Sequence, residues 1–141
     1  MTLTNVTSLL THEFMAHSGE LYNIRSLVRR AADESGCSEG CSELVVIAVN
    51  EAIMNIIQHG YQSNPKGNIT IKIKQADNAL IIQLRDFAET VDPAKIKPRD
   101  LGNIRPGGLG THFIREAMDD IKFLSPPDGV GNLLQMIKHI T

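Results

Sequence analysis

No basic run interleaved with aromatic residues occurs in the chain. Aromatics make up 4% of it, the net charge is −2 and the pI is near 6.2, so the footprint of direct nucleic-acid binding, or of docking on an anionic membrane, is missing. Any phosphate binding must therefore be local. No uninterrupted apolar run reaches the roughly 18 residues of a membrane span, and the N-terminus lacks the charged-then-apolar order of a signal peptide, so a cytoplasmic chain with no membrane partner is expected. Cysteine is scarce: Cys37 and Cys41 stand four apart near a helix start, with no second pair to complete a zinc site, and they read as small semi-buried residues. Of the five histidines, His12 and His17 are five apart, which misses the one-face spacing of a zinc-binding helix, and no zinc is assigned. Repeats and low-complexity segments are absent, as is the Gly-Lys-Ser/Thr of a Walker loop.

What is present begins with size. The 141 residues, 42% hydrophobic and 21% charged, match one compact domain, 1–141, able to bury roughly two-thirds of its unfolded surface. A loosely alternating run from Ser8 to His17 suggests a strand. Leu21, Ile24, Val28 and Ala31 then recur at helical spacing, up to Gly36. Ser38 is placed to cap a second helix that stops at Gly60, before the polar turn 62–67. Ile69, Ile71 and Ile73 alternate with Thr70, Lys72 and Lys74, and after Asp77-Asn78 comes the apolar run 80–84, which together spell an antiparallel hairpin. From Asp86 to Gly110 three prolines and four glycines break all periodicity, and the segment reads as a lid. Phe113, Ile114, Ala117 and Met118 form a third helix, and 121–124 and 133–140 are closing strands around Pro126-Pro127-Asp128-Gly129. Strands gathered with few alternations predict an α+β two-layer sandwich, a largely antiparallel mixed sheet covered on one face by helices.

Three constellations carry chemistry. In the second helix Glu51 and Asn55, four apart, share one face with His59, while Leu44, Val45, Ala48, Ala52, Ile53 and Ile56 supply a core on the other side. An uncompensated carboxylate amid such apolar residues is costly unless it meets a wet cleft, so the stripe can floor a pocket. His59 reads as a structural hydrogen-bonding residue. The second constellation is Pro106-Gly107-Gly108-Leu109-Gly110-Thr111, where an irregular segment becomes a helix; glycines there let backbone N–H groups and the positive helix end approach a phosphate. The third is Asp86, at the end of a strand, where a carboxylate can accept from an exocyclic amine.

Taken in order, these motifs resemble the ATP-binding fold shared by DNA gyrase, heat-shock chaperones, histidine kinases and MutL. The resemblance is greatest to its small bacterial branch, the anti-sigma factor serine/threonine protein kinases. It runs from about Gly19 onward, carried by the segments 50–61 and 107–111 with Met118-Asp119-Asp120. It implies a histidine-kinase-like (Bergerat) fold, ATP and Mg²⁺ as cofactors, and phosphorylation of a STAS-type anti-sigma factor antagonist. Sequestration of a sigma factor or similar regulator and a homodimer are implied as well. On it, Asn55 would ligate Mg²⁺, Glu51 would be the general base, and Asp86 would bind the adenine amino group. Gly107, Gly108, Leu109, Gly110 and Thr111 would hold the phosphates, with Arg105 adding positive charge.

The family's Asp-x-Gly-x-Gly is replaced here by Asp86-Phe87-Ala88-Glu89-Thr90. That change motivates an alternative, a non-catalytic protein-binding module of the same fold with weak or no ATP binding. A third reading, an ATP-driven clamp, would need a transducer domain after the lid.

Overall fold

In the computed structural model, residues 5–62, 67–88 and 109–141 are described, with residues 109–112 described in backbone only. Strand β1 is Val6–Met15. After a 3₁₀ turn at Ser18–Glu20 come α1, Leu21–Ser35, and α2, Glu39–Asn55, the latter continued by a π-helical turn at Ile56–Gly60. Strands β2, Asn68–Ala76, and β3, Ala79–Asp86, precede α3, Leu109–Ala117. Strands β4, Asp120–Leu124, and β5, Asn132–His139, close the fold.

The helix boundaries follow from local chemistry. Gly36 ends α1 at φ 100°, a left-handed conformation that glycine adopts without strain, and its N–H turns back to the Ala32 and Asp33 carbonyls. Ser38 then caps α2 by accepting the Cys41 N–H on its hydroxyl at 3.1 Å.

The sheet runs β1-β2-β3-β5-β4, and all four pairings among the described strands are antiparallel. The expected mixed sheet is thus antiparallel throughout those strands. Register aligns one row of side chains across all five: Leu10, Ile73, Ile82, Met136 and Ile121. Ile69, Ile71 and Ile73 on β2 and Leu80, Ile82 and Leu84 on β3 are fully buried, because the period of two turns them all toward the helices. Val28, Val45, Ala48, Ala52 and Ile53 meet them from α1 and α2. α2 packs against both α1 and α3 and so lies in the middle of the helical layer.

Two expectations change. Leu44, expected in the core, is 37% exposed, with Ile47 beside it on the outer face; α2 is apolar nearly all round, so periodicity alone does not identify its buried side. The stretch Glu39–Gly60 also has the length and the mean hydropathy, 1.5, of a membrane span, contrary to the expectation from uninterrupted runs. Half of that stretch is buried, as the central helix of a layer requires.

Candidate functional site

Asp86 has the same parity as Leu80, Ile82 and Leu84, so its side chain falls on the helix-facing side of β3, at the last position of the strand. It is 5% exposed. Opposite it stand Ile69 on β2 and Asn132 on β5. Asn132 Nδ2 and the Ala88 N–H each donate to Asp86 Oδ1 at 3.0 Å, so among the described residues both bonds converge on one carboxylate oxygen. Burial raises the Asp86 pKa, and the bonds from Asn132 and Ala88 pull the other way without cancelling it. A carboxylate held dry by two donors on one oxygen is suited to accept from an N–H of a ligand on the other.

The helix whose end reaches this part of the sheet is α2 with its π turn. Glu51 is half-buried and Asn55 is buried at 9% exposure, while His59, one turn further, is exposed. Both Glu51 and Asn55 take part in interactions within the fold. Beyond Asn55 the π-helical turn delivers Tyr61 to the sheet: its hydroxyl donates to the Asn68 carbonyl and accepts the Phe87 N–H, each at 2.6 Å. At Gly60, a Cβ would lie 3.5 Å from that of Ala88, so the end of the helix abuts the segment that follows Asp86. The end of the helix is thereby joined to the start of β2 at Asn68 and to the residues that follow Asp86.

The turn before β5 lies at the same end of the sheet, with Arg85 on the face opposite Asp86. Arg85 pairs with Asp128, donates to the Val130 carbonyl at 3.3 Å and stacks over the Phe87 ring at 4.7 Å. The Val130 N–H and the Arg85 guanidinium hold the Asp128 pKa below the usual carboxylate range. Gly131, at φ 77°, passes so close to β3 that a Cβ there would overlap the Asp86 carbonyl oxygen. Only glycine meets both demands.

Of the residues expected from sequence, Glu51, Asn55 and Asp86 fall on two elements that meet at this end of the sheet. Leu109, Gly110 and Thr111 form the first turn of α3, which packs on α2. Arg105, Gly107, Gly108 and most of the stretch expected to be a lid, residues 89–108 of 86–110, lie outside the described residues. Sequence reasoning missed Asn132 and Tyr61. Asn132 carries no local signal, since only strand register brings it opposite Asp86. Tyr61 stands inside the helix motif but beyond a turn whose π geometry no pattern announces.

Oxygen chemistry fits a hard cation. A buried carboxamide and a carboxylate one helical turn apart are donors that Mg²⁺ accepts, the remainder being left to phosphates and water.

Residues 14–138 match the family described as the histidine kinase-like ATPase domain. A serine-protein kinase, RsbW, of Oceanobacillus iheyensis is 32% identical, the match covering 77% of this chain and 72% of that protein. The anti-sigma F factor of Bacillus subtilis is 27% identical over 66% of each chain. Among solved structures, that of the RsbU and RsbW domains of a Mycobacterium tuberculosis protein superposes with a TM-score of 0.65, covering 93% of this chain and 32% of that one. At 15% identity it speaks for the fold alone.

Proposed function

Since the chain belongs to the histidine kinase-like ATPase domain family, we propose that it is a serine/threonine protein kinase that binds ATP with Mg²⁺, phosphorylates an anti-sigma factor antagonist and, in partner switching, sequesters a sigma factor or similar regulator. The observation that carries this reading is the buried Asp86 carboxylate on the helix-facing side of β3, beside a helix that bears Glu51 and Asn55. Relatives named serine-protein kinase and anti-sigma F factor support it.

In this reading Asp86 Oδ2 accepts a hydrogen bond from the adenine amino group and fixes the nucleotide's base end. Gly107, Gly108, Leu109, Gly110 and Thr111 carry the phosphates on backbone N–H groups, and Arg105 faces the γ-phosphate. Asn55 holds Mg²⁺, which when bound neutralises charge on the phosphate oxygens. Glu51 takes the proton of the attacking serine or threonine hydroxyl as its oxygen bonds to the γ-phosphorus; the bond to the bridging oxygen breaks and ADP leaves. A binder that performed no transfer would have no use for a base at position 51, which is why the kinase reading is preferred to a nucleotide-free binding module. We place the protein in the cytoplasm, acting as a homodimer.

The test is incubation with γ-labelled ATP, Mg²⁺ and STAS-type antagonist proteins from the same genome. Label on a serine or threonine of one antagonist is expected. Weak or no ATP binding by calorimetry, with no transfer to any antagonist, would favour the binding module.

A further inference from the structure

Cys37 and Cys41 are the only cysteines of the chain, and both are free thiols. They flank the cap of α2, with Cys37 in the link from α1 and Cys41 in the first turn. Both backbones are pinned: the Cys37 N–H donates to the Ala32 carbonyl at 3.2 Å, and that of Cys41 donates to Ser38 Oγ at 3.1 Å. The surrounding corner is fastened as well, since Ser42 Oγ donates to Asp33 at 2.6 Å and the Ser38 N–H donates to the Thr141 carbonyl at 2.7 Å. The two sulfurs are thereby held 2.7 Å apart in a hydrogen bond, roughly 0.7 Å beyond the ~2.05 Å of a disulfide. Cys41 is buried and Cys37 is partly exposed.

The two thiols differ in acidity. Burial, aided by the hydrogen bond with Cys41, pushes Cys37 up to about 11. Burial also opposes ionisation of Cys41, but hydrogen bonds from Cys37 and Thr141 outweigh it and bring that thiol below its usual range, with Lys138 acting in the same sense. The positive end of α2 favours the thiolate too. Cys41 is therefore the nucleophile and Cys37 the thiol that resolves it. A metal is the other use of paired thiols, but among the described residues no group of three His, Cys, Asp or Glu is assembled.

We propose that Cys37 and Cys41 are a redox-active pair that closes to an intrachain disulfide on meeting hydrogen peroxide and reopens with a dithiol reductant. The Cys41 thiolate attacks one peroxide oxygen; an S–O bond forms, the O–O bond breaks, and the departing hydroxide takes a proton from solvent to become water. Cys37 Sγ then attacks the Cys41 sulfur. The S–S bond forms, the S–O bond breaks, and the Cys37 proton leaves on the oxygen as a second water. Two electrons pass from the pair to the peroxide. A disulfide sulfur is a poorer acceptor than a thiolate, so closure weakens the hold of Cys41 on Thr141 and loosens the join between α2 and the residues after β5.

The experiment treats the full chain with hydrogen peroxide in small excess, blocks remaining thiols with N-ethylmaleimide and reads the intact mass. A loss of about 2 Da with no adduct is expected, and two adducts after dithiothreitol. Cys37→Ser, at the partly exposed position, should lose the mass change and trap Cys41 as a sulfenic acid that dimedone labels; Cys41→Ser should take up far less dimedone. Unfolding the wild type in urea should slow closure several-fold, because proximity and the lowered Cys41 pKa are both lost. Two adducts on the peroxide-treated wild type, a disulfide formed only between chains, equal dimedone labelling of the two variants, or an equal rate in urea would each overturn the proposal. Circular dichroism confirms that each variant is folded. The readout uses no nucleotide and stands apart from the kinase reading.

Discussion

The Tyr61 hydroxyl accepts the Phe87 N–H at 2.6 Å and, with a second bond to the Asn68 carbonyl, fastens the end of the Glu51–Asn55 helix to the strand that ends in Asp86. Tyr61→Phe keeps the ring and deletes both bonds. Stability is expected to fall by about 1–2 kcal/mol in urea unfolding, and ATP affinity to fall several-fold by calorimetry, since Asp86 is then held from one side fewer. Unchanged affinity would mean that Asp86 is positioned without the phenol.

Asp86 ties stability to pH. Burial raises its folded pKa above the unfolded value near 4, so the folded state binds the proton more tightly. Stability from this group is complete below that unfolded value and declines as pH rises through the raised folded value. Asp86→Asn keeps an oxygen for Asn132 and Ala88, removes that decline and leaves stability at neutral pH equal or higher. The same change should weaken ATP binding by roughly 10- to 100-fold, because an amide N–H₂ now meets the adenine amine. Melting curves from pH 4 to 7 together with calorimetry check both halves.

Glu51→Gln preserves shape and removes basicity. Phosphotransfer to the antagonist is expected to drop about 10²- to 10⁴-fold with ATP affinity nearly unchanged. Near wild-type transfer in single-turnover assays would remove Glu51 as the base.

Gly131 and Gly129 make a matched pair. Both have positive φ, 77° and 72°, but a Cβ at 131 would overlap the Asp86 carbonyl and lie 2.8 Å from Phe87 Cα, whereas one at 129 meets nothing within 4 Å. Gly129→Ala should cost about 1 kcal/mol, and Gly131→Ala roughly 2–4 kcal/mol with a parallel loss of ATP affinity. Equal costs would show that dihedral strain alone, and not space, governs the turn.

Much of the fold was legible because its signals are local. The alternation at Ile69, Ile71 and Ile73, the αL glycine at 36 and the cap at Ser38 each act over a few residues, and each is found where expected. Leu44 was misplaced because a helix in the middle of a layer is apolar on several sides, and its neighbours decide which side is covered. The site divides the same way. Glu51 and Asn55 follow from helical spacing, while Asn132 reaches Asp86 only through a register 46 residues apart in sequence. The sulfur pair was readable as spacing and unreadable as chemistry, since the proximity that makes it reactive depends on the turn between two helices.

The π-helical turn at Ile56–Gly60 has a consequence for how this chain tolerates length change. Each residue of a regular helix advances about 100° around the axis, whereas the π turn spreads one extra residue over nearly the same rotation. Removing one residue between 56 and 60 would therefore restore a regular spiral and leave the phenol aimed at Phe87. A one-residue deletion earlier in α2 has no such slack: it swings everything after it by about 100° and breaks the join of Tyr61 to the strand.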